Sequence, residues 1–492
     1  MNEISDKKSR SFFGQPFGLL NLFSTEVCER FSYYGMKAIL IFFLYDTLNN
    51  GGLGLSHTDA MMITTLFGSF IYLSSVIGGW IADRILGQYR CVIIGGAIIA
   101  AGHIVLGLPL GVDGLLVAIV LLVLGTGLLK PNVSTLVGGL YEEGDERVQS
   151  GFAIYYFGIN VGSFFSPIIV GYAQRVAGYH VGFLIPAVVM IIGLVVFTTT
   201  GKKLLAGISR EPSHPLVGDE KRNYSIGIIL GAIVIALVCF ILSKNGILTL
   251  DSFSAFVPFL CVIIVIAIFA SIFKDKKLTT HDRRKVGAYI PIFIALVAFF
   301  TIYDQQFSTI PVTADTRVFD GIGSFKVPAS WYQSVNPLVI LIGTPFFAYL
   351  WDKLGKKQPK IVTKMAIGMV LASLGMFILG GGYALHADGS MFSPVWPLAS
   401  LLFSSVGEIL VSPVSLAAST QLAPERHASK MMSLWMISDA VSQAFNAFVV
   451  KYYNEASPQG FFFAFGVGVL VVTIIYFALK KPVVDKLTGG IV

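Results

Sequence analysis

Long apolar runs separated by short polar connections dominate the chain. As a helix, a run needs about 20 residues to cross ~30 Å of hydrocarbon. Six such runs fit before residue 201: Phe17 to Leu48, Ala60 to Ala82, Val92 to Pro109, Leu115 to Val137, Ser150 to Gln174 and Val181 to Thr200. Six more fit after residue 285: Gly287 to Pro311, Ala329 to Leu350, Val362 to Gly381, Val395 to Gln421, Ser429 to Tyr453 and Gly460 to Leu479. Between them lie a charged linker, an apolar hairpin (Ile226 to Leu242 and Phe256 to Phe273) and a second charged linker. A transmembrane β-barrel would alternate apolar and polar residues over ~10-residue strands, whereas Leu115 to Leu129 is continuously apolar. The pattern predicts an all-α membrane protein of about 14 transmembrane helices: an N-terminal six-helix bundle (1–200), linkers with an inserted hairpin (201–285) and a C-terminal six-helix bundle (286–492).

The two halves carry a weak echo. After the second span comes "GGWIADRILGQYR", and after the eighth comes "YLWDKLGKK"; each sets Asp before a basic residue and then Leu-Gly. Repeated halves are how many secondary transporters are built. Asp83 with Arg84, and Asp352 with Lys353, are therefore candidate gating pairs. An Asp at a helix end facing basic residues of the next loop can hold that side closed and release it when the halves rock.

Composition agrees: 55% hydrophobic residues and a mean hydropathy of +0.76 exclude an ordinary soluble domain. The net charge of +7 does not point to nucleic acid. Most Lys and Arg cluster in alternate connections, among them Arg84 to Arg90, Lys202 to Arg222, Lys274 to Lys285, Lys353 to Lys364 and Lys480 to Lys486. Such asymmetry orients membrane proteins, and it predicts both termini in the cytoplasm of a cell whose cytoplasmic membrane the chain crosses many times. The first residues lack an apolar core followed by a small-residue cleavage site, so no signal peptide is expected. Cys28, Cys91, Cys239 and Cys261 are scattered without metal or redox spacing and read as small buried residues. "NVS" at Asn132 falls inside a span, so it is no glycosylation acceptor. Neither a catalytic constellation, a metal site nor a cofactor is expected.

The informative residues are charges inside spans. In "TEVCERFSYYG" (Thr25 to Gly35), Glu26, Arg30, Tyr33 and Lys37 fall at i, i+4, i+7 and i+11, one stripe of a helix, with Glu29 slightly to the side. Left unpaired at mid-bilayer these groups would cost on the order of 10 kcal/mol, at ~2.5–3.5 kcal/mol each, so the stripe faces protein or a wet cavity. Arg30 neutralises only part of two carboxylates, and the remaining acid suits a proton carrier; the bland alternative is a static ion-pair cluster between helices. Further polar groups are Lys130, Asn160, Asp304, Asn336, Glu408 and Asp439 in spans four, five, seven, eight, ten and eleven. Arg30, Lys37 and Lys130 come from the N-terminal half, whereas Asp304, Glu408 and Asp439 come from the other. A cavity so lined, with Tyr33, Tyr34, Tyr72 and Trp435 as amphipathic walls, would match a zwitterion with separated charges, such as a short peptide.

Glu26, Glu29, Arg30, Phe31, Tyr33, Tyr34 and Gly35 resemble the E-x-x-E-R-F-x-Y-Y-G motif of the proton-dependent oligopeptide transporters, a branch of the major facilitator superfamily. "FAIYYFGINVGSF" (Phe152 to Phe164) and "GEILVSP" (Gly407 to Pro413) resemble that family's fifth-helix and tenth-helix signatures, and the likeness runs from about residue 16 to 480. The resemblance implies the major facilitator fold and proton-coupled import of di- and tripeptides by alternating access. It implies a proton-coupling cluster of Glu26, Glu29 and Arg30, with Lys130 paired to Asp304, and a peptide amino terminus held by Asn160, Asn336 and Glu408. Arg30 and Lys37 would favour the peptide carboxylate; Tyr33, Tyr34, Tyr72, Lys130 and Trp435 would complete the pocket. Lys37 and Asp304 stand where the family usually has Arg and Glu, and Thr65 where animal members carry a functional histidine, so proton uptake here would fall to carboxylates. The expected partners are di- and tripeptides, protons and the bilayer, with the chain a monomer. The rival within the fold is another cargo: an amino acid, nitrate, a sugar or a drug.

Overall fold

The structure is a computed structural model, and it describes residues 11–142, 144–208, 210–247, 249–319, 321–322 and 325–479. The terminal segments 1–10 and 480–492, which bear on the expected side of each terminus, lie outside these, as does the side chain of Cys239.

Among the described residues the chain is almost wholly helical. The N-terminal part holds α1 (Gly18–Tyr45), α2 (His57–Ile81), α3 (Gln88–Leu106), α4 (Gly111–Gly138), α5 (Val148–Ala177) and α6 (Tyr179–Leu204). The inserted hairpin is α7 (Asp219–Lys244) and α8 (Leu250–Phe273). Then come α9 (Thr280–Tyr303), α10 (Thr309–Thr316), α11 (Val335–Leu354), α12 (Ile361–Leu385), α13 (Val395–Gln421), α14 (Ala428–Val449) and α15 (Gln459–Ala478). Eleven of the helical segments are long and apolar enough to cross a membrane; α1, with Glu26, Glu29, Arg30 and Lys37 in its length, is too charged to pass by composition alone. The chain is a multi-pass membrane protein.

Burial follows helical geometry. Leu116, Val120 and Leu124 of α4, four residues apart, are more than half exposed and form a lipid-facing stripe. Asn132, further along the same helix, is buried and donates to the Leu128 carbonyl at 2.7 Å. Thr279 starts α9 with a capping box: its hydroxyl accepts from the Asp282 N–H while its own N–H donates to that carboxylate. The hairpin's α8 is half lipid-exposed, at Phe256, Phe259 and Ile263, and half packed, at Ser254, Val257 and Cys261.

One expected span differs. The seventh does not run unbroken to Pro311: it ends at Tyr303, passes through a 3-10 turn over Asp304–Phe307, and resumes as α10. Pro311 falls in the first turn of α10, where its missing N–H leaves no bond unmade. The freed backbone and the polar run "DQQFST" are kept from lipid, since Asp304, Gln305, Gln306, Ser308 and Thr309 are all buried, as irregular backbone at membrane depth must be.

By packing, the chain divides into two compact units: residues 1–36, 73–166 and 176–253, and residues 37–72, 167–175 and 254–492. The boundary cuts α1, α2 and α5 part-way along. In the first unit α3 packs on α4 and α6; in the second α12 packs on α13 and α15, and α9 on α14.

Candidate functional site

In the first unit, the side chain of Arg30 sits between the two acids its motif places around it. Its Nε lies 3.1 Å from Glu26 Oε1 and also donates to Glu29 Oε2. All three residues are buried. Glu26 is held at both oxygens, because the Tyr155 phenol of α5 donates to its Oε2 at 2.6 Å; Tyr155 in turn bonds with Ser134 of α4. Lys130 of α4, half-buried, adds a positive charge that acts on Glu26. Glu29 Oε1 and Arg30 Nη2 are left without a hydrogen-bond partner among the described residues. The cluster is thus a clamped acid, a half-held acid and a guanidinium with an unused edge.

Close approach of α5 to α1 makes this possible. A Cβ on Gly162 would lie 2.5 Å from the Val27 carbonyl oxygen and 3.0 Å from the Phe31 nitrogen, so only glycine lets the two backbones meet there. The Arg30 guanidinium lies 5.6 Å from the centroid of the Tyr33 ring, which meets Tyr34 edge-on at 5.0 Å. Asn160 donates back to the Tyr156 carbonyl one turn earlier, at 3.0 Å.

Lys37, the fourth member of the α1 stripe, belongs to the second unit. Its ammonium lies 3.7 Å from the centroid of the Phe307 ring, and the carboxylates that act on it are Asp304 and Asp439. Asp304 stands in the break after α9, where Ser442 of α14 donates to its Oδ2 at 2.8 Å. Asp439 accepts from Gln443 Nε2 at 2.5 Å. Gln443 reaches α2, where a Cβ on Gly68 would overlap its Oε1, and the next residue, Ser69, donates to the Ala440 carbonyl at 2.8 Å. The resemblance pairs Asp304 with Lys130; inside its own unit the cation acting on Asp304 is Lys37.

A third group lies on α11 and α13. Asn336 Nδ2 donates to Glu408 Oε2 at 2.7 Å and to Ser405 Oγ at 3.1 Å. The Tyr303 phenol bonds to the same Glu408. Trp435 donates from its indole N–H to Ser415 at 3.0 Å, and Tyr72 is half-buried on α2.

Within the second unit, the C-terminal end of α1 and the start of α2 each meet a polar partner. Tyr45 donates to Asp315 at 2.5 Å, and the His57 ring lies 3.0 Å from Glu455. Of the candidate gating residues, Asp83 accepts from Gln88 at 2.9 Å and Ser213 at 3.3 Å, while its carbonyl and that of Arg84 accept from His214 and Leu216. Asp352 and Lys353 are exposed at the end of α11.

Residues 89–465 match the model of the POT family. The chain belongs to the POT family. Membership makes it a transporter rather than an enzyme. Over 99% of both chains this POT-family protein is 38% identical to a di-/tripeptide transporter of Lactococcus lactis subsp. cremoris. Its structure is similar to that of a peptide transporter POT in complex with sulfate, at 42% identity, 97% coverage of each chain and a TM-score of 0.94. It is also similar to a POT family transporter in complex with 5-aminolevulinic acid, at 35% identity, 96% of this chain, 98% of the other and a TM-score of 0.93.

Sequence reasoning missed three contributors to the POT site. Tyr155 stood inside a quoted motif, but a phenol among aromatics reads as wall rather than as a donor to Glu26. Ser442 and Gln443, which hold Asp304 and Asp439, gave no signal beyond their one-turn spacing from Asp439 on α14.

Proposed function

We propose that this POT-family chain is a proton-coupled symporter that imports di- and tripeptides across the cytoplasmic membrane by alternating access, working as a monomer with both termini in the cytoplasm and protons as its coupling ion. The observation that carries the reading is the buried pair of acids around one guanidinium, with Glu29 Oε1 and Arg30 Nη2 unpartnered among the described residues. A proton on Glu29 leaves Arg30 to a peptide carboxylate; loss of that proton draws Arg30 back. Glu408, held by Asn336, is the anion offered to a peptide amino group, and Lys37 with Asp304 and Asp439 links substrate and proton to the ends of α1 and α2. A proton crossing ~100 mV supplies ~2.3 kcal/mol, and one pH unit adds ~1.4 kcal/mol, enough to concentrate a peptide a few hundred-fold.

The relative bound to 5-aminolevulinic acid favours a second reading, in which other small molecules bearing both an amine and a carboxylate are also carried. Uptake of labelled dialanine into liposomes under an inward proton gradient, with trialanine, alanine, 5-aminolevulinic acid and nitrate as competitors, tests both. Competition by trialanine but not by alanine or nitrate supports peptide transport. Equal competition by alanine overturns it.

A further inference from the structure

The stretch from the end of α11 into the first turn of α12 carries Lys353, Lys356, Lys357, Lys360 and Lys364 with no acid after Asp352. Beside it, between α11, α12 and α13, lies a cavity of about 520 Å³, within the ~300–1,000 Å³ of ordinary ligand sites. Phe347, Ile409 and Val414 form an apolar floor, and Trp351, Lys360 and Lys364 stand at its mouth. Lys364 Nζ is held 4.2 Å from the centroid of the Trp351 ring and donates to Gln358 Oε1 at 2.8 Å. An ammonium has three donors, so a bond to Gln358 leaves others for an anionic oxygen. Nothing in the peptide and proton machinery uses this group.

We propose that this groove binds an anionic phospholipid, with its phosphate at Lys360 and Lys364 and an acyl chain along Phe347, Ile409 and Val414. Charge complementarity selects an anion: a cluster of lysines beside a membrane span attracts acidic lipids, and a Trp at the same level suits the interface between headgroups and hydrocarbon. The apolar floor selects a lipid over a soluble phosphate. Ile342, Phe346 and Tyr349 on the same helix are more than half exposed, so α11 carries an open apolar face.

The test measures lipid retention by the purified full-length protein with phosphatidylglycerol and phosphatidylcholine, by native mass spectrometry. The proposal expects phosphatidylglycerol to be kept in preference to phosphatidylcholine, and retention to fall about tenfold to thirtyfold in the Lys360→Gln/Lys364→Gln double variant. Lys451→Gln, which removes a lysine after α14, should leave retention unchanged. Dialanine uptake in phosphatidylcholine vesicles reports that the double variant is folded, and it should match the parent. Undiminished phosphatidylglycerol retention by a folded double variant overturns the proposal, as does equal retention of both lipids by the parent. Displacement of the lipid by millimolar inorganic phosphate would assign the lysines to a soluble anion and overturn it too. Should the double variant not fold, Lys364→Gln alone is measured against the same expectations, with about a fivefold fall.

Discussion

The Tyr155 phenol donates to Glu26 Oε2 at 2.6 Å while Arg30 holds the other oxygen of the same carboxylate. Glu26 is therefore fixed from two helices, whereas among the described residues Glu29 is held at one oxygen only. The geometry divides the two acids of the motif into an anchor and an acid with an open position.

Tyr155→Phe removes that donor from a buried charge, where a hydrogen bond is worth ~1.5–3 kcal/mol. Proton-driven dialanine uptake is expected to fall about tenfold, while exchange of peptide across the membrane without a gradient changes by less than about twofold. Comparing the two rates in the same proteoliposomes checks it. An equal fall in both would make Tyr155 a general structural support.

Gly162→Ala places a methyl 2.5 Å from the Val27 carbonyl oxygen. The backbones of α1 and α5 must separate, at a cost of ~1–3 kcal/mol, so the melting temperature in detergent should drop. Gly227→Ala, on α7 with no atom within 4 Å of the added carbon, should leave it level or slightly higher.

The first of these sites was legible in the sequence, because helical spacing alone puts Glu26, Arg30, Tyr33 and Lys37 on one stripe. What spacing could not supply was the partner of each group. Lys37 lies in line with Arg30, yet it works with two acids far along the chain: Asp304, which the resemblance assigns to Lys130, and Asp439, which reads from the sequence only as an intramembrane acid. The break at Asp304 was hidden for a different reason: the apolar count of the seventh span stays high across it, and the polar run "DQQFST" marks a turn only once its burial is known. The hairpin's α8 buries Ser254, Val257 and Cys261, a packed face that its uniformly apolar sequence does not mark.

Asn336 gives Glu408 a donor at 2.7 Å. Asn336→Ala is expected to loosen the grip on a peptide amine and raise the KM for dialanine about tenfold. Inhibition by N-acetylated dialanine, which lacks that amine, should be unchanged. Steady-state uptake with both compounds measures it.

At the end of α8, Asp275 meets the loop before α14: its carboxylate lies 3.0 Å from His427 Nε2 and 3.7 Å from Arg426 Nε. The backbone N–H of Lys277, then His427 and Arg426, hold the carboxyl below its usual range. A depressed folded pKa contributes stability above the unfolded value near 3.9 and loses it as pH falls through the folded one. Asp275→Asn should therefore lower the melting temperature slightly at pH 6, and the difference from the parent should shrink as pH falls below about 4. Thermal melts across that range check the sign.

The central claim is that Glu29 takes the coupling proton. Its most direct test is Glu29→Gln in proteoliposomes, comparing uphill dialanine uptake driven by an imposed proton gradient with gradient-free peptide exchange. The account predicts that driven accumulation disappears while exchange continues. Accumulation at the parent's level would contradict it.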